Sequence, residues 1–362
     1  MKILCIDFRM HRSSGIGTFI TNIVPFLINR YDIILMGKID EIEKYYWSKS
    51  VKIINCISKI YSIGEQYELF YKIPESDIFW SPHYNIPILP IRSKKRVVTI
   101  HDVFHLAFYG TLSLSQKIYS KFFLSQAISR SDLIITVSKF SKQEIRKYIP
   151  TSKNIEIIYN AVDINTFKPI GDIELIDKII LKYNLPKNFI LFVGNVKPHK
   201  NLKNLLLAIK KLDINLVVVG KKEGFITGDK TINDLINNND LKNKVFFTGY
   251  VENEDLPVIY NLANLFVFPS LYEGFGIPPL EAQACGCPVI CSNIASLSEV
   301  CGNSVIYFNP YDVDEMKEKI ELVLRDENLQ NELQTKGFEN VKRFSWEESA
   351  KKIIKIFERL NP

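Results

Sequence analysis

Two glutamates with seven residues between them, Glu273 and Glu281, stand in the run FPSLYEGFGIPPLEAQACGCPVI. The pattern ends a strand at Phe268, leaves a loop with Glu273, Gly274, Phe275 and Gly276, and starts a helix near Pro278 and Pro279. Proline suits a first helical turn, because the N–H it lacks would be unpaired there anyway. Gly286 then stops the helix, and a new strand follows at once. Two glycines before a helix leave amides without side-chain cover, so the backbone of Phe275, Gly276, Ile277 and Leu280 can face an anion and neighbouring hydroxyls. A diphosphate with a sugar attached fits that description. Glu273 stands on the loop and Glu281 in the first turn of the helix, one to reach the sugar and the other a nucleotide ribose. An acid favoured by the helix dipole explains Glu281 alone and leaves the EGFG loop without a reason.

A second run, ILFVGNVKPHKNL, ends a strand at Gly194 and carries Asn195, Lys197, His199 and Lys200 into a loop, with Asn201 able to cap the next helix. A lysine at such a strand end can neutralise a departing diphosphate, where negative charge develops in the transition state. Tyr250 and Val251 follow another strand, and Tyr250 could stack on a nucleotide base or form the edge of a core. Earlier in the chain, Gly15, Ile16 and Gly17 follow the first strand and precede a helix, so their amides can again face phosphate. That glycine pair lacks the third glycine and distal acid of a dinucleotide fingerprint, which argues against a nicotinamide oxidoreductase. His101 and Asp102 end the strand VVTI; His101 is a candidate catalytic group, and Asp102 either orients its ring or caps the local turn.

Taken together, EGFGIPPLEA and VGNVKPHKNL resemble the signature of glycosyltransferase family 4, retaining enzymes of the GT-B fold, and the resemblance extends over nearly the whole chain. It implies that Glu273 and Lys200 act on the sugar and the diphosphate, with Glu281 on the ribose and His101 near the transferred sugar. The glycine loop around Gly15 and Gly17 would approach both donor phosphate and acceptor. The family commonly supplies an arginine as well as a lysine to the diphosphate; here the arginine position holds Asn195, and Lys197 or His199 is the available substitute. A nucleoside-diphosphate sugar is implied as co-substrate, with no cofactor and no metal ion. SPHYNIPIL and HDVFHLAF look most like bacterial mannosyl- and rhamnosyltransferases of surface polysaccharide synthesis. GDP-mannose is therefore the first choice of donor, and a UDP-sugar or dTDP-rhamnose the alternative. A glycan or lipid-linked acceptor is implied. A non-transferase enzyme on the same fold, such as a sugar-nucleotide epimerase, does not usually carry both motifs.

The elements that must position these groups alternate between short β-rich runs and amphipathic helices, which predicts an α/β chain with parallel sheets. Expected strands are Lys2–Ile6, Ile33–Met36, Ile78–Trp80, Val97–Ile100, Leu133–Thr136 and Ile155–Ile158, then Phe189–Val193, Leu216–Val219, Val245–Thr248, Leu265–Phe268, Val289–Cys291 and Val305–Phe308. Between the two sets, a mixed segment with Pro169, Gly171 and Pro186 reads as a linker. Two Rossmann-like, doubly wound domains facing a cleft follow, with ligands beyond the carboxyl ends of the strands. Residues 1–165 would bind acceptor and 166–344 the nucleotide sugar, with a helix in 345–362 packing back on the first domain.

Charge separates the halves too. Residues 1–170 carry 23 Lys and Arg against 14 Asp and Glu, a net +9, while 171–362 carry 23 against 26, a net −3. A basic first half suits an anionic surface or substrate, and no motif directs it to nucleic acid. Tyr45, Tyr46 and Trp47 could touch a membrane face or pack within a helix. Because no window reaches the roughly 18 apolar residues of a spanning helix and MKILCIDF lacks a cleavage site, a cytoplasmic enzyme is expected, associated at most with the inner membrane face. Cys5, Cys56, Cys285, Cys287, Cys291 and Cys301 lack paired metal-ligand spacing and read as small buried residues. The polar segment Asp229–Lys244 reads as a solvated helix and loop.

Overall fold

The computed structural model describes residues 1–108, 110, 113–195, 197–220, 230–237, 239–294 and 296–360. The chain forms two compact units, Met1–Asn160 with Ser345–Pro362, and Ala161–Phe344. In the first, strands β1 (Lys2–Asp7), β2 (Tyr31–Gly37), β3 (Lys52–Asn55), β4 (Ser76–Ser81), β5 (Ser93–Ile100), β6 (Leu133–Thr136) and β7 (Ile155–Ile157) pair in the order β3-β2-β1-β4-β5-β6-β7, all parallel. In the second, β8 (Phe189–Val193), β9 (Asn215–Val219), β10 (Val245–Gly249), β11 (Leu265–Phe268), β12 (Val289–Ser292) and β13 (Ile306–Phe308) pair in the order β10-β9-β8-β11-β12-β13, again parallel. Parallel strands are covered on both faces, which is why FILFV, LVVV and LFVF read as unbroken apolar runs.

Helices α1 (Ser14–Leu27), α2 (Ile63–Lys72), α3 (Leu114–Arg130) and α4 (Lys139–Tyr148) belong to the first unit. So does the C-terminal helix Trp346–Leu360, which lays Ile353, Ile356 and Phe357 against it. Phe357 meets Trp80 edge-on at 5.5 Å between ring centroids, Trp346 meets Phe19 at 6.1 Å, and Ser349 Oγ donates to the Tyr159 carbonyl at 2.7 Å. The second unit holds α5 (Ile173–Tyr183), α6 (Leu202–Lys210), α7 (Leu256–Leu262), α8 (Ile277–Ala284), α9 (Leu297–Cys301), α10 (Val313–Arg325) and α11 (Glu327–Val341). Its core gathers Ile190, Phe192, Leu205, Val218, Val267 and Ile290.

Several expectations need correction. The segment expected to be a linker contains α5, capped by Asp172 and closed by left-handed Asn184; Gly171 and Pro186 only bracket it. Of the three aromatics that could touch a membrane face or pack within a helix, Tyr45 stacks on Trp47 at 4.9 Å and Trp47 is buried, because both pack around Phe8; Tyr46 alone is exposed. Within Asp229–Lys244, short helices Lys230–Asn237 and Asn239–Lys242 form and bury Ile232 and Leu241 against the core. Residues 229 and 238 of that segment lie outside the described residues. All six cysteines are buried as free thiols.

Candidate active site

In the second unit, chain order runs outward in opposite directions from β8 and β11, so the loops after these neighbouring strands open where the topology switches. Open α/β sheets bind ligands at that position. The loop after β8 closes in a short 3-10 turn, Pro198–Lys200, and the Leu271 amide donates to the His199 carbonyl at 2.6 Å, tying the two loops together. As a result Lys200 Nζ stands 2.5 Å from Glu273 Oε1, with 18% and 14% of the side chains exposed, and 5.4 Å from the Phe268 ring centroid. The two residues singled out for sugar and diphosphate are therefore a direct ion pair, although 73 positions separate them. Asn195 and Lys197 are exposed on the same loop. Asn201 begins α6 in the left-handed region, but its side chain does not cap the helix: it is buried and donates to the carbonyls of Pro269 and Pro310 at 3.1 and 2.8 Å.

Glycine is required at position 276. Its φ is +103°, and a Cβ there would lie 2.6 Å from Leu297 Cδ2 of α9. Ser296 Oγ donates to the carbonyls of Glu273 and Phe275 at 3.0 and 2.8 Å, so the residue before α9 holds the EGFG loop in place. Because Gly276 caps α8, the helix begins at Ile277 and Glu281 falls in its second turn rather than its first. Of the first three helical residues only Ile277 has an N–H, which narrows the expected amide cradle around Ile277 and Leu280. Glu281 Oε2 accepts from the buried Tyr260 hydroxyl at 3.0 Å. Burial pushes the Glu281 carboxyl up to about 7, against a smaller opposing effect of the Tyr260 hydroxyl. Tyr250 is 59% exposed, so it is no core edge and its ring remains open to a base; Val251 beside it is buried.

The first unit has its own switch point, between β1 and β4, and a buried polar network occupies it. Arg9 donates to Asp7 from Nε at 2.8 Å and Nη2 at 2.7 Å, and to Glu65 from Nη1 at 2.9 Å. Asn85 Nδ2 donates to Glu65 at 2.8 Å, and the Tyr119 hydroxyl donates to Asn85 Oδ1 at 2.7 Å. The Asn85 amide donates to His83 Nδ1, which leaves the imidazole proton on Nε2, 3.2 Å from Asp7 Oδ2. None of these six residues stood out in the sequence; the available signals were an acid ending β1, an arginine two positions later, and the polar strand end SPHYN.

His101 lies next to this network. Its Nε2 is 3.0 Å from the Pro82 carbonyl, which can only accept, so the proton is on Nε2 and Nδ1 offers a lone pair. Burial drives the imidazole down to about 4, overriding the opposite effects of Pro82 and Asp102, and the ring is neutral near pH 7. Asp102 does not orient it. Its Oδ1 accepts from the Phe104 amide at 2.9 Å and caps the turn. Gly15, Ile16 and Gly17 also differ from expectation, because α1 begins at Ser14 and takes them into its first turn. The Gly17 amide is already used, donating to the Ser13 carbonyl at 2.9 Å. Glycine is needed there for space, since a Cβ would sit 2.2 Å from the His11 carbonyl oxygen.

The family model for glycosyl transferases group 1 matches residues 175–340, and that for Glycosyltransferase Family 4 matches residues 75–166. The chain is 30% identical over 289 residues to the O-antigen chain mannosyltransferase B of Escherichia coli, covering 78% of this chain and 74% of the relative. It is 32% identical over 274 residues, 74% of this chain, to the serotype-specific mannosyltransferase WbdA of Escherichia coli, but spans only 34% of that protein's length. Among solved structures, the Anabaena Alr3699/HepE complex with UDP-glucose superposes with a TM-score of 0.80 at 18% identity, over 99% of this chain and 100% of that one, which places the fold among GT-B proteins.

Proposed function

This chain belongs to glycosyltransferase family 4, and from that premise we propose that it transfers mannose from GDP-mannose to a glycan or lipid-linked acceptor in surface polysaccharide synthesis. The observation that carries the chemistry is the Lys200–Glu273 pair at the switch point of the second sheet. In this reading the second unit holds the donor and the first unit the acceptor. The diphosphate takes Lys200 from Glu273 and uses its charge as the bond to the sugar breaks, while the released carboxylate accepts sugar hydroxyls. The Ile277 amide adds a donor to the phosphate, Glu281 holds the ribose, and the exposed ring of Tyr250 lies under the base. Neutral His101 offers Nδ1 to a sugar hydroxyl. Transfer proceeds with retention on the front face, the departing phosphate oxygen accepting the acceptor's proton, and no metal ion takes part.

Mannose is favoured by the names of the relatives, both mannosyltransferases. UDP-glucose is the second choice, since a protein of the same fold binds it. Thermal melting with a panel of nucleotide sugars tests the choice: GDP-mannose is expected to raise the melting temperature more than UDP-, dTDP- or ADP-sugars. A larger rise with UDP-glucose would replace mannose, and no rise with any donor would overturn the donor site itself.

Glu281 gives the donor site a pH dependence of definite sign. Only the ionised carboxylate accepts both ribose hydroxyls, so donor affinity should rise with pH up to about 7 and level off above. The slope below that value approaches about tenfold per pH unit. Stability moves the other way, because a carboxyl raised by burial is charged at a cost, and the folded unit loses stability as pH rises from the ordinary glutamate value toward 7. Calorimetric titration with the nucleoside diphosphate across this interval reads the first effect. Glu281→Gln should flatten it, and an equally flat profile in the parent would remove Glu281 from the ribose.

A further inference from the structure

Two neighbouring helices of the first unit have their apolar stripes turned outward. On α2, Ile63, Tyr67 and Tyr71 are spaced i, i+4, i+8 and are 80%, 58% and 72% exposed. On α3, Leu114, Ile118 and Phe122 repeat that spacing at 74%, 62% and 48% exposure. A helix of a globular protein normally buries such a stripe, and each of these helices already buries a different face, through Leu69 in one and Phe123, Leu124 and Ala127 in the other. Tyr61, just before α2, packs edge-on against Tyr119 of α3 at 5.7 Å between ring centroids, so the two stripes sit on adjoining helices.

The exposed charge carried by the two helices themselves has one sign. Helix α3 contains Lys117, Lys121 and Arg130 and no acid. The two acids of α2 are turned inward: Glu65 is held by Arg9, and Glu68 accepts from the amides of Ile57 and Ser58 and from Lys72. Outward apolar and aromatic residues, flanked by lysines and cleared of exposed acids, match the composition of a helix lying in a membrane interface. Among the described residues no helix is long and apolar enough to cross a membrane, so a contact of this kind would lie on the surface.

We propose that the outward stripes of α2 and α3, with Lys117 and Lys121, form a docking face for an anionic lipid bilayer surface. This deepens the functional reading above and rests on it for its purpose: the face would bring the acceptor-binding unit to the membrane in which a lipid-linked acceptor resides. The lysines supply long-range attraction to anionic headgroups, and the aromatic and aliphatic side chains enter the headgroup boundary. The surface joins the site described earlier through one chain of contacts, Tyr119 to Asn85 to Glu65 to Arg9.

Co-sedimentation of the full chain with vesicles tests the proposal. The protein should pellet with vesicles of phosphatidylcholine mixed with phosphatidylglycerol and remain in solution with phosphatidylcholine alone. Lys117→Glu/Lys121→Glu should weaken binding by about fivefold or more for each lysine, and Tyr67→Ser/Tyr71→Ser/Ile118→Ser/Phe122→Ser should abolish it. The serine variant changes only exposed positions, so its melting temperature should equal the parent's. A parent that stays in solution with anionic vesicles would overturn the proposal, as would a serine variant that pellets like the parent. A parent dimer that the serine variant dissolves, seen by size-exclusion chromatography, would assign the face to a second copy instead. Donor-induced stabilisation is measured in the same preparations. Stabilisation without vesicle binding sinks the docking face alone, and vesicle binding without stabilisation sinks the transferase reading while the face stands.

Discussion

Glu273→Gln is expected to lower the rate of sugar transfer by about 10²- to 10³-fold, the range seen when one preorganised electrostatic group is removed from a transition state, while leaving the affinity for the bare nucleoside diphosphate equal to or tighter than the parent's. The opposite signs follow from the ion pair. In the resting protein Lys200 is engaged by the Glu273 carboxylate at 2.5 Å, and a diphosphate must displace that carboxylate to reach the ammonium. Glutamine keeps the volume and most hydrogen-bonding capacity but removes the competing charge, so product binding loses an obstacle while the sugar loses its anionic partner. Lys200→Ala is the counterpart. It removes the cation and leaves Glu273 facing the incoming phosphate, so diphosphate affinity should fall by ten- to a hundredfold, the loss expected for a hydrogen bond to a charged group. Calorimetric titration with the diphosphate and single-turnover transfer assays separate the two effects. Weaker diphosphate binding by Glu273→Gln would mean that the carboxylate supports the phosphate site rather than competing for it.

Arg9→Ala should cost the first unit about 3–5 kcal/mol, the usual result of removing one partner from a buried ion pair. Asp7 and Glu65 have essentially no exposed side chain and share this one guanidinium. Without it, two carboxylates remain in a dry site, with the Arg9 backbone amide and nearby His83 at Asp7, and Asn85 with the Tyr61 amide on Glu65. For a unit of this size each kcal/mol moves the melting temperature by about 2–4 °C, so calorimetry should show a fall of roughly 10 °C. Arg9→Lys should recover only part of it, because an ammonium cannot span both acids with a forked geometry. Arg9 and His83 hold the Asp7 carboxyl well below its ordinary range, so its contribution is complete above the unfolded aspartate value and is lost as pH falls below it. A melting temperature unchanged in Arg9→Ala would show that the two acids find other compensation.

How much of this was legible in the sequence depended on where the information lay along the chain. Leu133–Thr136, Phe189–Val193 and Leu265–Phe268 were delimited to the residue, because buried parallel strands announce themselves within a short window. Strand β3 escaped because it lies at the sheet edge with no fully buried residue. Helices α5 and α11 escaped for different reasons. In α5 only Ile179 is buried, and α11 carries Gly337, whose lack of a side chain lets Gln283 approach. The EGFG loop was readable from local backbone chemistry alone. The network around Arg9 was not, since Glu65 lies 56 positions away and nothing near either residue advertises the other. Helix α2 was invisible for a reason that bears on its proposed use: its apolar period is real but points at solvent, so it does not mark a core.

The first unit is closed by the last helix of the chain, and this sets an order of events during synthesis. Phe19, Tyr31 and Trp80 meet Trp346 and Phe357 across a boundary that cannot exist until residues 346–360 have left the ribosome. The whole second unit, Ala161–Phe344, is made in between. At about 5–20 residues per second that interval lasts roughly 10–40 s. Throughout it the nascent first unit presents an uncovered apolar strip beside α1, while the second unit is free to fold as it emerges. The first unit is thus completed only after the second, and the strip it exposes meanwhile is a natural place for a chaperone to hold.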